Sequence, residues 1–167
     1  MSDAHGVIHI HSCPVALAQH VGWTLSASLN CVVRPDWTDQ PVEPGTLWAN
    51  IEWSGESGSA AVVASALRGW NGVRFEVSEA TAAGRDGVRY SHTPALGIFY
   101  TLTDSHGNAV VGEDRIKYAM GVAEGDADEI ARELRLALGT AWDDELEPYR
   151  AGRYAEILPL TRPSHAI

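Results

Sequence analysis

The chain has 167 residues, 45% of them hydrophobic and 20% charged, with a formal charge of −10. That composition fits one globular domain of ordinary size, long enough to bury roughly 70% of its unfolded surface without disulfide or metal staples. Twenty-two acidic against twelve basic side chains, with no basic run, argue against nucleic acid as a partner, and the same acidity disfavours an anionic membrane surface.

The two cysteines, Cys13 and Cys31, bracket a helical pattern. A helix between them would hold their ends about 25 Å apart, far beyond the roughly 7 Å between Cα atoms that a disulfide allows. Free thiols, no leader before residue 6 and no apolar run of membrane-spanning length point to a cytoplasmic protein.

Residues 6–11, GVIHIH, alternate Ile8 and Ile10 against Val7, His9 and His11, the period of a strand. Ser12 is placed to cap a helix, and Pro14 suits a first helical turn. Leu17, Val21, Leu25 and Leu29 then recur every four residues and predict an amphipathic helix over 14–29. Residues 31–37, CVVRPDW, read as an edge or bulged strand because Pro35 interrupts them. Residues 38–45 are loop. LWANIEW (47–53) alternates as a strand, with Trp48 on the face opposite Trp53. A second helix over 60–70 buries Val63, Ala66, Leu67 and Trp70, and VRFEVSE (73–79) is a strand with Val73, Phe75 and Val77 on one face. The order strand, helix, strand, strand, helix, strand is the ferredoxin-like βαββαβ plan, assigned to residues 6–79, with one sheet face left open.

The second half, 88–147, reads as a short strand at 88–92, a strong strand at 96–104, a turn at 105–108 and a return at 109–111. A short helix over 113–120 ends at Gly121. A longer one over 126–147 is capped by Asp126 and stopped by Pro148. The 96–111 hairpin and the long helix are the expected cover for the open sheet face. The whole is a single α+β domain over 1–150, with a C-terminal tail over 151–167.

His9 and His11 project from one face of their strand, as two ligands of a Zn²⁺ ion would. His92, Asp104, His106 or Glu113 could complete such a set, but none has diagnostic spacing, so both histidines are also read as hydrogen-bonding residues of a half-buried sheet. Asp104, Ser105 and His106 hold the ingredients of acid–base chemistry, yet Asp, Ser, Gly and Asn are equally what a hairpin turn needs. SGESGS (54–59) could seat an anion on helix N–H groups; a plain cap by Ser57 or Ser59 is the simpler reading. Cys13 at a helix start could be an activated nucleophile or a small buried residue. Trp37, Trp48 and Trp53 are candidate walls of a ligand pocket.

Two readings of function therefore stand. One is a non-catalytic domain binding a small ligand or a protein, including a homodimer through sheet faces or edges, with no cofactor. The other is a hydrolase-type enzyme, possible with metal assistance, using His9 and His11 with Asp104 or His106.

The blocks ALRGWNGVRFEVSE, SHTPALGIFYTLTDSHGNAVVGEDRIKYAM and ALGTAWDDELEPYR, with the opening GVIHIHSCP, resemble an uncharacterised family of small actinobacterial proteins, a domain of unknown function. The similarity covers roughly residues 6–150 and carries no activity or catalytic residue with it. What the resemblance implies is a link to fatty-acid synthesis through acyl carrier protein or its enzymes. Contact with that acidic carrier would need a basic patch, and Arg68, Arg74, Arg89, Arg115 and Lys117 are the residues able to supply one.

Overall fold

The HIHSCP segment lies inside β1 (Ala4–Pro14), a strand hydrogen-bonded along both edges, and the chain is built outward from it. The structure, a computed structural model, describes residues 3–155. β1 pairs with β3 (Thr46–Gly55) on one side and β4 (Arg74–Glu79) on the other. Beyond β3 lies the two-residue β2 (Thr38–Asp39). Beyond β4 come β5 (Gly87–Thr93), β6 (Gly97–Thr103) and β7 (Ala109–Val110). The order is β2-β3-β1-β4-β5-β6-β7, and every neighbouring pair is antiparallel.

The alternation of β1, β3 and β4 places Ile8, Ile10, Ala49, Trp53, Phe75 and Val77 on one face, all of them buried. Two helices close over them. α1 (Ala18–Leu29) contributes Val21, Leu25 and Leu29, the fourfold spacing seen in the sequence, and α2 (Ser59–Leu67) contributes Ala60, Val63, Ala64 and Leu67. Burial of one such side chain is worth about 1.5–3 kcal/mol, so this layer is the main source of stability. Trp53 needs Gly6 beside it. A Cβ at Gly6 would stand 2.9 Å from the indole nitrogen, which donates to the Ser78 carbonyl at 3.2 Å.

Helix starts differ from expectation in two places. β1 continues through Ser12 to Pro14, and α1 begins only after a 3₁₀ turn (Val15–Leu17), so Ser12 caps nothing. Its hydroxyl accepts from Arg74 instead, at 3.2 Å. α2 has no cap from Ser57 or Ser59 of the ordinary kind. The Glu79 carboxylate reaches back from β4 and accepts from the N–H groups of Gly58 and Ala60, at 3.1 and 3.3 Å. A negative group at a helix start meets both unpaired donors and the positive end of the dipole, so the anion seat is filled from within the chain. Residues 31–37 form no strand; only Thr38 and Asp39 pair with β3, because Pro35 and the exposed Val32 leave the segment without a ladder to join.

The 96–111 hairpin does not cover the open face. It extends the sheet through β5, which offers β4 a complete antiparallel partner. The expected single long helix is two. α4 (Ala127–Leu138) is capped by the Asp126 carboxylate on the Asp128 and Glu129 N–H groups, as the sequence suggests, and follows α3 (Glu113–Ala123). It ends at Gly139, whose φ of +71° turns the chain into α5 (Thr140–Ala155). Pro148 lies inside α5 rather than ending it. An interior proline costs about 3 kcal/mol, and α5 offsets that through anchors on both sides: Trp142 stacked on Phe99, Leu146 fully buried, and Tyr149 beneath Arg74. α5 lies on the sheet face opposite α1 and α2, bonding Glu76 and Thr93. It runs five residues into the expected tail; the remainder of that tail, 156–167, lies outside the described residues. Among the described residues no helix is long and apolar enough to cross a membrane.

Gly139→Ala tests the α4 to α5 turn. The added Cβ would lie 2.3 Å from the Phe99 ring on a left-handed backbone, and the expected loss is about 1–3 kcal/mol in urea denaturation. Gly121→Ala, in open space on α3, is the control and gains about 0.5–1 kcal/mol.

Candidate functional site

Two regions gather chemistry-bearing side chains on the sheet face away from α1 and α2. The first follows from a bulge. Ile10 pairs with Ala49 and Cys13 with Leu47, so β1 carries one more residue than β3 across this stretch. The same slip occurs against β4, between Ile10 and Ser12. A bulge realigns side chains: Cys13 returns to the core beside Ile10, while His11 and Ser12 both bond residues of the opposite face. The His11 carbonyl, displaced from the ladder, accepts from Gln40 Nε2 at 2.6 Å.

His11 is fully buried, and its Nε2 lies 2.6 Å from Glu76 Oε2. Glu76 also accepts from Ser91 Oγ at 3.3 Å and from Arg150 Nε at 3.0 Å. The Arg150 guanidinium reaches a second acid, Asp143, at 2.9 Å. Beside this group Arg74 bonds Glu43 at 3.0 Å, lies 3.6 Å from Glu145 and covers the Tyr149 ring at 4.7 Å. Thr93 donates to Glu145 at 2.8 Å. Burial pushes the Glu76 carboxyl up, but hydrogen bonds and charge from His11 and Arg150 outweigh it and hold the group well below its ordinary 4.5. Glu76 is thus fixed as a carboxylate, a poor proton donor, and the cluster fastens α5 to the sheet.

The second region is an open cleft of ≈ 600 Å³ at the end of the sheet where β1 begins and β3, β4 and β6 finish. His5, Glu52, Ser54, Thr81, Thr103 and Asp104 are among its lining residues. Val7 and Glu52 are cross-strand partners there, and Ser54 is the partner of His5.

The sequence candidates are divided between these regions. His9 and His11 do share a face, their rings 6.0 Å apart, but His9 Nδ1 bonds Asn50 at 2.7 Å and His11 bonds Glu76. Asp104 lines the cleft, whereas His9, His11 and His106 do not. Asp104 also holds its own turn, accepting from the His106 and Asn108 N–H groups at 2.8 and 2.9 Å, and those bonds lower its carboxyl. His92 is on the other face, stacked on Phe75 and bonded to the Val73 carbonyl, with burial lowering its imidazole. Among the described residues no group of three or more His, Cys, Asp or Glu side chains is placed to hold a metal ion. Cys13 is not at a helix start, and burial pushes its thiol up to about 11. Trp53 packs in the core while bordering the cleft, Trp37 packs against the core, and Trp48 is half-buried. Of the five basic residues, Arg74, Arg115 and Lys117 are ion-paired within the chain.

Glu76, Arg150, Gln40 and Glu79 were not singled out by sequence reasoning. A charged residue between Phe75 and Val77 was the one available signal, since an acid in the middle of an inner strand demands a partner.

Arg150→Met strands the buried Glu76 charge and is expected to cost about 3 kcal/mol in urea denaturation, while Glu76→Leu with Arg150→Met recovers most of it. The pH dependence has a definite sign. A depressed carboxyl stabilises fully above its unfolded value of 4.5, and the contribution erodes as pH falls below that, because only the unfolded chain takes up the proton. Thermal melts between about pH 6 and about pH 3 should show a steep acid limb that Glu76→Gln flattens.

Searches of curated proteins and of solved structures each found no match. The family model described as protein of unknown function DUF3145 matches residues 7–162, which takes in the β1 bulge, most of the residues lining the cleft and the Arg150 anchor. The chain belongs to the DUF3145 family.

Proposed function

We propose that this chain is a non-catalytic binding protein whose small ligand occupies the cleft at the sheet end. The observation that carries the reading is the size and lining of that cleft. At ≈ 600 Å³ it falls within the range of about 300–1,000 Å³ common to small-molecule sites. Its hydroxyls, imidazole and carboxylates, with no Lys or Arg among the lining residues, suit a polar ligand that is neutral or cationic. The His11, Glu76 and Arg150 group is spent on holding α5, which favours binding over acid–base chemistry at the bulge. We also read residues 6–79 as a ferredoxin-like unit. The β2-β3-β1-β4 order, the antiparallel neighbours, and helices after β1 and β3 support that reading.

Native mass spectrometry of untagged protein from its own host, joined to a thermal-shift screen of hydroxylated and amine metabolites, tests the proposal. The expected result is a bound organic mass and a raised Tm. Ser54→Trp, on an exposed strand position lining the cleft, should abolish both while leaving the unliganded Tm unchanged. A bare mass with no shift across the panel overturns the reading.

A further inference from the structure

Among the described residues, the Lys and Arg side chains that are half-buried are Arg74, Arg89, Arg115 and Arg150. Three of them hold carboxylates: Arg74 on Glu43, Arg115 on Glu133 and Arg150 on Glu76. Arg89 holds none, although the chain carries 22 acids. Its Nε is shut off from solvent with no hydrogen-bond partner. Its two amino groups have no partner among the described residues either, and they reach solvent. A guanidinium drawn partly out of water without a counter-charge destabilises the fold, and an anion delivered from outside removes that cost.

Arg89 stands at the margin of the cleft. Register sets Glu52, Val7, Ser78 and Arg89 in one row across β3, β1, β4 and β5, on the face away from α1 and α2. The first three line the cleft, and Arg89 is the next residue of the row. Cross-strand neighbours such as Ser78 and Arg89 bring their Cβ atoms to about 4.5–5.5 Å. Gly87, two residues along β5 on the same face, has no side chain, and its partner Thr103 lines the cleft as well. The cleft floor thus leads to the guanidinium past a serine and a glycine.

The far end of the row carries the opposite charge. Of the acids lining the cleft, Glu79 serves the N–H groups of α2, and Asp104 serves those of its own turn. Glu52 is exposed and has no hydrogen bond or ion pair among the described residues. A plain anion would meet the Glu52, Glu79 and Asp104 carboxylates in the cleft. A plain cation would leave Arg89 unpaired. A ligand bearing both charges answers both ends. The backbones at Glu52 and Arg89 are three strand spacings apart, about 14 Å, a span that two side chains and one small molecule fill.

We propose that the ligand of the cleft is a small zwitterion of the amino-acid type, its ammonium on Glu52 and its carboxylate on Arg89. This rests on the cleft being a ligand site and adds which charges the ligand carries and where they sit. The carboxylate is held by the two amino groups of Arg89, in the forked geometry that guanidinium offers.

Isothermal titration calorimetry of the full chain tests this with the common L-amino acids, γ-aminobutyrate and ε-aminocaproate. At least one should bind. Its amide, which lacks the carboxylate, and its N-acetyl derivative, which lacks the ammonium, should each bind at least about 10-fold more weakly. Arg89→Gln should weaken the free amino acid about as much and leave the amide unchanged. Glu52→Gln, at an exposed position, should weaken the free amino acid and leave the N-acetyl derivative unchanged. The unliganded Tm of Arg89→Gln should hold or rise, because the charge it removes has no partner; a fall marks Arg89 as structural and overturns the inference. So does an amide that binds as well as its acid, or an affinity that neither substitution moves. Binding of amines or hydroxylated compounds but of no amino acid overturns this inference and leaves the cleft as a ligand site. No binding by any of these compounds overturns both.

Discussion

A carboxylate taken out of water must recover its hydrogen bonds and counter-charge inside the protein, or it destabilises the fold. Glu76 recovers them from three directions: a histidine on β1, a serine on β5 and an arginine near the end of α5. Those partners are 65, 15 and 74 residues away in sequence. This group joins Trp142, Leu146 and Tyr149 in fixing α5 on the sheet, from a point beyond Pro148. The cluster is polar where the other face is hydrocarbon, so the two faces hold their helices by different physics. One face is held by area removed from water, the other by charge geometry that is directional and sensitive to acid.

The bulge in β1 makes that division available. In a regular strand His11 and Cys13 would face the same way, and one of the two would be misplaced. The extra residue lets the thiol join the hydrocarbon layer while the imidazole and the Ser12 hydroxyl serve Glu76 and Arg74. Gln40 then satisfies the displaced carbonyl from the short edge segment, so an otherwise featureless loop is tied to the strand.

What the sequence disclosed was local. Ile8 and Ile10, the fourfold leucines of α1, Trp53 and the 73–79 strand report their faces through periodicity alone, and the structure places them accordingly. What it hid was relational. Nothing in LGIFYTLTD says whether a strand lies across a sheet or beside it; that depends on the free edge of β5. Val32 and Val33 have strand propensity but no ladder to join. A proline ends a helix only when nothing beyond it is anchored, and Arg150 is anchored by a glutamate that periodicity leaves unexplained. At the candidate sites the gap is the same. His9, His11 and Asp104 are visible as residue types, whereas the bulge that turns His11 inward and the cleft that Asp104 borders exist only once distant strands meet.

The Glu79 carboxylate on the first turn of α2 bears on how the chain folds. A nine-residue helix is too short to persist alone, and here the anion that steadies its start arrives from β4, about twenty residues later in the chain. α2 is therefore completed by the strand it packs on rather than before it. Helix start and strand end are thus coupled in stability, and a fluctuation that frees the end of β4 also removes the anion from the helix start.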